Sequence, residues 1–397
     1  MPSPSEEASG EHPAGHEPAP PPRQHRWSLH LALFIATGFT TTLAGIRLAG
    51  EVPAEFGGEG ILTQILSAVF FYRELLYVMD EPSAALAGLA FSVPLLGVFL
   101  THEMGHFVVA RLRGVDASLP YFIPVPFALG TLGAVIGMRA PSNDRGALVA
   151  IGAAGPLVGF VVAFVVLLIG FSLSEIKTAA EIAALASDAG VVVEGDSLSY
   201  ALARWLVHGT LPPGDDVWIH NTAYAGWFGM YLTWFNLLPF SQFDGGHISY
   251  ALVGRHARAL SIGVLGTLLV LFAITFNPLW VSLCVVLVLL SRFIGLSHPP
   301  INDDRPMRPL HKLIAFACAL VFVATFVPNP LHPHPVSEQR GSERAIAPRV
   351  PADEALPHAD LTLDKPRPRG LASERDSSDS PLPKRRDPRA GRPEATP

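Results

Sequence analysis

The sequence predicts an all-α polytopic membrane protein of about seven transmembrane helices, with a small membrane-dipping β-hairpin and disordered termini. Hydrophobic residues make up 49% of the 397 residues and charged residues only 16%, against about 25% charged residues in soluble domains. The mean hydropathy is +0.35, and the apolar residues are gathered into long runs. A body with so little charge cannot be covered by a water-facing surface, so we expect membrane lipids around it.

Polar tails flank this apolar body. Residues 1–26 contain seven prolines, and residues 329–397 are rich in Pro, Arg, Asp and Ser. Such segments bury too little apolar surface to order themselves, so both are predicted to be disordered on either side of a membrane domain of residues 27–328. The basic run that begins at Pro383 is interpreted as solvated tail rather than as a targeting signal.

Seven apolar runs are long enough to cross a hydrocarbon core of about 30 Å. They are Leu29–Ala49, Ala84–Ala110, Ala147–Phe171, Thr222–Phe240, Leu260–Phe276, Leu279–Leu296 and Leu310–Val327. Ile61–Met79 is also apolar, but Arg73 and Glu74 stand in its middle. This pattern favours an interfacial helix over a transmembrane one.

The charges of the connecting segments predict which side of the membrane each one faces. Arginines mark the segments 111–145, 241–259 and 292–312. Since Lys and Arg are enriched in cytoplasmic loops, these segments are expected on the cytoplasmic side. Segment 174–220 is mostly acidic and partly helical in pattern, so we predict a small helical cap on the opposite face.

Composition also excludes several classes of protein. A net charge of −6 and a pI near 6.2 do not indicate the basic surface that binds nucleic acid. Cys284 and Cys318 both lie in apolar runs, so neither a disulfide framework nor a cysteine zinc site is predicted. The polar start of the chain indicates no cleaved secretory signal.

The second apolar run contains His102-Glu103-Met104-Gly105-His106. Histidines at positions i and i+4 lie on one helix face and can reach one metal ion, while Glu103 can take a proton from a water on that metal. A chance match is the alternative. Ionisable groups so close together in a transmembrane helix cost roughly several kcal/mol to insert unless they are paired or metal-bound, which favours a functional site.

A third metal ligand is expected near Asp244. Pro239 interrupts the fourth apolar run, and two glycines follow Asp244. Irregular backbone at membrane depth is tolerated only where protein or a water-filled cavity covers it, so a carboxylate there can complete a His2Asp site with water as the fourth ligand. The alternative is that Asp244 caps a helix beginning near His247.

These residues resemble the site-2 protease family of intramembrane zinc metalloproteases. The likeness rests on His102-Glu103-Met104-Gly105-His106 and on Asn236-x-x-Pro239-x-x-x-x-Asp244-Gly245. Leu119-Pro120-Tyr121-Phe122-Ile123-Pro124, Gly130-Thr131-Leu132-Gly133-Ala134 and Ala154-Gly155-Pro156 are similar to the branch that includes plant chloroplast and many bacterial members. The resemblance covers roughly residues 84–327.

The resemblance implies a zinc-dependent endopeptidase that cuts a transmembrane protein substrate, in regulated intramembrane proteolysis. Zn²⁺ would be bound by His102, His106 and Asp244, Glu103 would activate the attacking water, and Asn236 would orient the substrate or the developing oxyanion. His106 is about 8 Å of helix rise from Arg111, so the site is expected near the cytoplasmic side of a bacterial plasma membrane. The sequence predicts neither the oligomeric state nor the identity of the substrate.

The Gly-rich segment 120–139 is predicted to form a hairpin that dips toward the site. Its residues Gly130, Thr131, Leu132 and Gly133 would supply an edge on which an extended substrate can pair. The alternative is a packing loop between two transmembrane helices.

Other interpretations of the sequence remain open. His208, His220 and His247 are interpreted as interface or loop histidines rather than further ligands. A catalytically inactive relative that serves as a membrane scaffold or chaperone is the alternative function. A metal transporter is less favoured, because residues 260–296 contain hardly any ionisable side chain.

Overall fold

The computed structural model describes residues 26–50, 52–57, 60–138, 144–189, 192–296, 301 and 306–333. Most of both predicted tails lies outside these ranges. The described part of the second tail, Leu331–Pro333, is a strand that pairs with Val192–Glu194. The chain is therefore ordered slightly beyond the predicted end of the membrane domain.

The described residues are mostly helical. In chain order the α-helices are α1 (Trp27–Ala49), α2 (Ile61–Val69), α3 (Tyr72–Asp80), α4 (Ala84–Leu112), α5 (Arg145–Ser172), α6 (Ala179–Ala189), α7 (Leu198–His208), α8 (Asn221–Asn236), α9 (Asp244–Val253), α10 (Ala257–Thr275), α11 (Pro278–Ile294) and α12 (Pro309–Thr325), with short 3-10 turns at Ala54–Gly57 and Gly254–His256.

Four helical segments within the described ranges are long and apolar enough to cross a membrane. They are α1, α4, α5 and the composite segment Asp244–Thr275, which joins α9 to α10. The helices α8, α11 and α12 are apolar but only 16 or 17 residues long. The predicted count of seven transmembrane helices is therefore not confirmed by helix length, although each predicted run does contain a helix.

The segment Ile61–Met79 forms two short helices rather than one straight helix. Ile61–Ser67 and Tyr72–Asp80 meet at an angle of 87°. Arg47, near the end of α1, holds this corner because its guanidinium donates to both carboxylate oxygens of Glu74 at 2.8 and 3.0 Å, and to the Phe70 carbonyl at 2.6 Å. Glu74 is buried and its charge is paired with Arg47, whereas Arg73 donates to the backbone carbonyls of Val52 and Pro53.

The core of the molecule lies where α4, α5 and α8 meet, with α1 against α4. Large buried side chains from α4 fill this core, among them Phe91, Leu95 and Val98. Small residues bring the backbones together: a Cβ at Gly229 of α8 would lie 2.9 Å from the Ala163 side chain of α5. Close helix approach through small residues is typical of membrane proteins.

Small antiparallel sheets complete the fold. Strands β1 (Tyr121–Pro124) and β2 (Thr131–Val135) form the predicted hairpin. Across the helical cap, β3 (Glu175–Lys177) pairs with β5 (Asp216–Trp218), and β4 (Val192–Glu194) pairs with β6 (Leu331–Pro333). The predicted helices of the cap are confirmed as α6 and α7, whereas its strand pairs were not predicted.

Candidate metal centre

Three side chains from two distant parts of the chain meet at one point. The Nε2 atoms of His102 and His106 are 3.2 Å apart, and Asp244 Oδ2 lies 3.3 Å from the first and 3.2 Å from the second. The two imidazoles are almost completely buried, and the carboxylate is largely buried. The structure thus brings together the three residues predicted as metal ligands.

Helix α4 places the two histidines one turn apart on its inner face. His106 Nδ1 lies 2.7 Å from the Ile151 carbonyl oxygen of α5. A carbonyl can only accept a hydrogen bond, so Nδ1 is the donor and the neutral ring presents its Nε2 lone pair to the cluster. This is the orientation that metal-binding histidines usually have.

Asp244 reaches the histidines because the chain before α9 turns back tightly. Asp244 is the first residue of α9, and no side-chain hydrogen bond caps the helix. The carboxylate contacts both imidazoles, so the alternative interpretation as a helix cap is not supported by the geometry. A Cβ at Gly245 would overlap the carbonyl oxygen of Leu237, so only glycine allows this approach.

Helix α5 leaves room for the imidazoles through glycines that face α4. A Cβ at Gly155 would overlap His106 Nε2, and a Cβ at Gly159 would lie 2.9 Å from His102 Nδ1. A carbonyl of the same helix, that of Ile151, orients His106. The wall behind the histidines is therefore shaped to receive them.

These roles of α5 were not predicted from the sequence. Gly155 belongs to the family-like pattern Ala154-Gly155-Pro156, whereas Gly159 and Ile151 belong to none of the predicted motifs. The G-x-x-x-G spacing of Gly155 and Gly159 was a usable signal for close helix approach. This spacing does not reveal whether a neighbouring backbone or a side chain fills the space beside the glycines, because either can pack there.

Two further predicted residues lie beside the cluster. Asn236, the last residue of α8, places its amide nitrogen 3.1 Å from His102 Nε2. Glu103 is buried and lines the same cavity of about 280 Å³ as the three clustered side chains. A carboxylate and an amide therefore face the space into which the histidines point.

The hairpin contributes to this cavity, but through residues beyond the predicted edge. Ala134, Val135, Ile136 and Met138 line the cavity. The predicted edge, Gly130–Gly133, lies nearer the turn: the Gly130 carbonyl accepts a 2.6 Å hydrogen bond from Thr40 of α1, and Leu132 is 65% exposed.

The three other histidines occupy different environments. His208 donates from Nε2 to the Phe171 carbonyl at 2.9 Å, and His220 Nδ1 accepts a 3.2 Å hydrogen bond from the Thr222 amide at the start of α8. These two are structural, as predicted. His247 of α9 lines the cavity without joining the cluster of the three closest donors.

The geometry fits a divalent metal ion. The donor atoms of His102, His106 and Asp244 all lie within 4.8 Å of one another. Two imidazole nitrogens and one carboxylate oxygen, with a position left for water, are the ligand set of catalytic zinc sites. Both ligand types are also common for other transition metals, and the glycine-lined recess behind the histidines keeps the donors convergent.

Residues 90–274 match the family model of peptidase family M50. The chain is 30% identical over 218 residues to the "Probable zinc metalloprotease EGY2, chloroplastic" of Oryza sativa subsp. indica, covering 54% of this chain and 39% of the relative. It is 28% identical over 255 residues to the "Probable zinc metalloprotease EGY1, chloroplastic" of Arabidopsis thaliana, covering 64% of this chain and 44% of the relative.

These matches cover the part of the chain that holds the cluster. The chain spans about two fifths of the length of these curated relatives, and no solved structure matches it. The matched segment includes most of α4, the helices α5 to α9 and nearly all of α10, and with them every residue of the candidate centre. Over residues 90–274, somewhat less than half of its length, the chain is thus similar to peptidase family M50, the site-2 protease family.

Proposed function

We propose that this protein is an intramembrane zinc metalloprotease that hydrolyses a peptide bond in or near a transmembrane segment of another membrane protein. The observation that carries the proposal is the convergence of His102, His106 and Asp244 on one point, with Glu103 and Asn236 facing the same cavity. The relatives named as zinc metalloproteases support the same conclusion.

Zinc held by His102, His106 and Asp244 would polarise the scissile carbonyl and lower the pKa of a bound water toward neutrality. Glu103 stands next to the first ligand and accepts a proton from the attacking water, then delivers it to the leaving nitrogen. Asn236 donates its amide hydrogens toward the substrate carbonyl, where negative charge develops. Burial of the cluster strengthens these electrostatic interactions because little water screens them.

An extended substrate segment can add to the hairpin. Among the described strands, β2 pairs only with β1, so its other edge has no strand partner. The chain beyond β2 continues through Ile136 and Met138 along the cavity, and added strands are held by main-chain hydrogen bonds. We infer that pairing begins at the predicted edge Gly130–Gly133 and brings the scissile bond to the cavity wall further along the strand.

The proposed topology keeps all seven predicted transmembrane helices. Helices of 16 or 17 residues lie at the lower limit for crossing a bilayer, so α8, α11 and α12 would cross together with the four longer segments. His106 lies close to the arginine-bearing end of α4, which favours a site near the cytoplasmic side. A bacterial plasma membrane stays a prediction, since the relatives are named as chloroplastic.

Cleavage of a single-span test substrate in liposomes tests the proposal. We expect wild-type protein to cut it and a zinc chelator to stop the cut. Glu103→Gln should bind as much zinc as wild type but cleave at least about 100-fold more slowly, as expected for loss of a general base. The matched control is Glu181→Gln in the exposed cap helix α6, which should cleave normally.

The outcomes separate this function from its alternatives. Absence of zinc from the purified wild-type protein would contradict the metal centre. Bound zinc with no cleavage of several substrates would favour the scaffold or chaperone. Metal uptake into liposomes that Glu103→Gln leaves unchanged would favour a transporter.

A further inference from the structure

A second polar cavity lies where the ends of three helices meet, away from the candidate metal centre. It has a volume of about 360 Å³ and opens between the end of α4, the start of α5 and the start of α12. Its polar lining is Arg113, Asp144, Arg145, Arg308 and His311. The His311 ring is buried against Gly146, where a Cβ would lie 2.5 Å from the ring carbon Cε1.

In the part of the chain that the structure describes, the lining carries more positive than negative charge. Three arginines face one carboxylate, that of Asp144, whose Oδ1 accepts a 2.8 Å hydrogen bond from the Gly146 amide. Arg113 and Arg308 form no ion pair with any carboxylate among the residues that the structure describes. The contact of Arg113 is instead with His311, at 3.4 Å between Nη2 and Nε2. The two guanidiniums therefore lack an anionic partner within the described ranges.

The amino end of one helix adds to this positive potential. Helices α5 and α12 both begin at the cavity, at Arg145 and Pro309, but the Asp144 carboxylate caps the first turn of α5. No side chain caps the first turn of α12. The amino end of a helix carries a partial positive charge and free N–H groups that bind phosphate readily.

The surroundings place an apolar surface directly beside the basic lining. Leu112, Leu310 and Leu313 neighbour the lining residues in sequence and are 79%, 62% and 63% exposed. Exposed leucines at the ends of transmembrane helices face acyl chains, whereas arginines at the same level meet headgroups. A ligand with a phosphate group and an attached hydrocarbon chain matches both surfaces.

We propose that this cavity binds a phosphate group, supplied by the headgroup of an anionic phospholipid. Arg113 and Arg308 would each donate hydrogen bonds to the phosphate oxygens, since a guanidinium matches phosphate geometry. The bound phosphate would tie the end of α4 to the start of α12, beside the first turn of α5. No residue of the metal centre takes part, so this inference stands or fails independently of the protease.

The site would also stiffen the frame of the metal centre. Arg145 Nε donates a 2.8 Å hydrogen bond to the Ala251 carbonyl of α9, the helix that begins with Asp244. Helix α5 supplies the Ile151 carbonyl that orients His106. A ligand that neutralises the charge beside the start of α5 thus acts on both elements that support the metal ligands.

The test measures lipid retained by the full chain after delipidation in neutral detergent and addition of phosphatidylglycerol or phosphatidylcholine. Native mass spectrometry should find phosphatidylglycerol retained at least about tenfold more than phosphatidylcholine on wild-type protein. The double variant Arg113→Gln/Arg308→Gln should lose this preference, and Arg113→Lys/Arg308→Lys should keep most of it. The control Arg255→Gln/Arg258→Gln removes two exposed arginines outside the cavity and should behave as wild type.

A parallel arm distinguishes the source of the phosphate. If inorganic phosphate at millimolar concentration raises the thermal midpoint of wild type but not of the Gln double variant, while the lipid preference is absent, the phosphate site is right and the lipid source is wrong. Equal phosphatidylglycerol retention by the Gln double variant and the control, each with the elution volume of wild type, would overturn the proposal.

Discussion

Two polar clusters in this molecule each line a cavity and differ in how their polar atoms are arranged. The cap cluster, formed by Glu194, Tyr200, Arg204 and Asp216, lines a cavity of about 440 Å³, larger than the 280 Å³ beside the metal centre. In the cap, the Tyr200 hydroxyl donates to Glu194, and Arg204 contacts Asp216 at 3.4 Å.

The difference lies in what the polar atoms face. Each carboxylate of the cap cluster meets a donor from its own surroundings, so the cluster is internally satisfied. In the metal centre, acceptor atoms from His102, His106 and Asp244 point at a common position. Paired charges stabilise structure, whereas two imidazole nitrogens and a carboxylate oxygen that converge on one position form a ligand set suited to a metal ion. Cavity volume therefore does not distinguish the candidate metal centre from the cap cluster.

Removing the charge of Asp244, one of the three converging ligands, should have the largest effect on zinc binding. Asp244→Asn keeps the size of the side chain but removes the ligand charge, and we expect zinc affinity to fall more than about 100-fold, beyond the 10–100-fold cost of losing an outer-shell partner. Metal analysis after dialysis against a weak chelator measures it. Asp216→Asn in the cap cluster is the matched control and should keep full zinc content. Equal loss of zinc in both variants would contradict the distinction between the cap cluster and the metal centre.

Substitution of the glycines of α5 that face the histidines, Gly155 and Gly159, should have the next largest effect on turnover. Gly155→Ala places a methyl group where His106 Nε2 lies, and we expect turnover to fall by about 100-fold, the usual cost of displacing a catalytic group by about 1 Å. On α4, nothing lies within 4 Å of a Cβ at Gly97. Gly97→Ala should therefore keep wild-type turnover, and a similar loss in both variants would argue for general helix damage.

Asn236 should matter less than the ligands. Asn236→Ala leaves the three donors in place, so we expect unchanged zinc content and a turnover about 10–100-fold lower, since it removes one donor from the site of developing charge. Gln242→Ala is the control, because Gln242 lines the same cavity but donates to the Ile294 carbonyl at 2.8 Å. Loss of zinc in Asn236→Ala would show that Asn236 supports the metal rather than the substrate.

The cap cluster should respond to pH with a small effect of predictable sign. Burial raises the pKa of Glu194 to about 7, and the neighbouring carboxylates Asp216 and Asp196 add to the rise despite the Tyr200 hydrogen bond. Between its unfolded pKa and about 7 the folded state binds more protons, so stability falls as pH rises through this window. We expect a loss on the order of 2 kcal/mol from pH 5 to pH 8.

Thermal unfolding in detergent at pH 5 and pH 8 measures this effect. Glu194→Gln should reduce the change of the thermal midpoint with pH, because the amide does not titrate. Glu175→Gln, on an exposed residue of the same cavity wall, should retain it. A wild-type midpoint that rises with pH by the same amount would contradict the assignment to Glu194.

The sequence was sufficient to predict which side chains meet at the candidate metal centre. His102, Glu103 and His106 are close in sequence and lie on one helix, so periodicity places them together. Asp244 was harder, since a carboxylate before two glycines also suits a helix cap. Its approach to the two histidines depends on the tight turn at Gly245, which only the folded backbone reveals.

Other features could not be predicted for physical reasons. Hydropathy marks apolar runs but not where their helices end: α8 stops at Asn236, before Pro239, although its run extends to Phe240. The residues that face the cavity from the hairpin depend on its register, and Ala134, Val135, Ile136 and Met138, which line the cavity, were not predicted. The pairing of β4 with β6 joins residues far apart in sequence, which local pattern does not encode.

X-ray absorption at the zinc edge of the purified protein tests the central claim most directly. The account predicts one zinc per chain with only nitrogen and oxygen neighbours at about 2.0–2.2 Å, and with a weaker imidazole signal in His106→Ala. A sulfur shell near about 2.3 Å, or a zinc spectrum unchanged in both His106→Ala and Asp244→Asn, would contradict it.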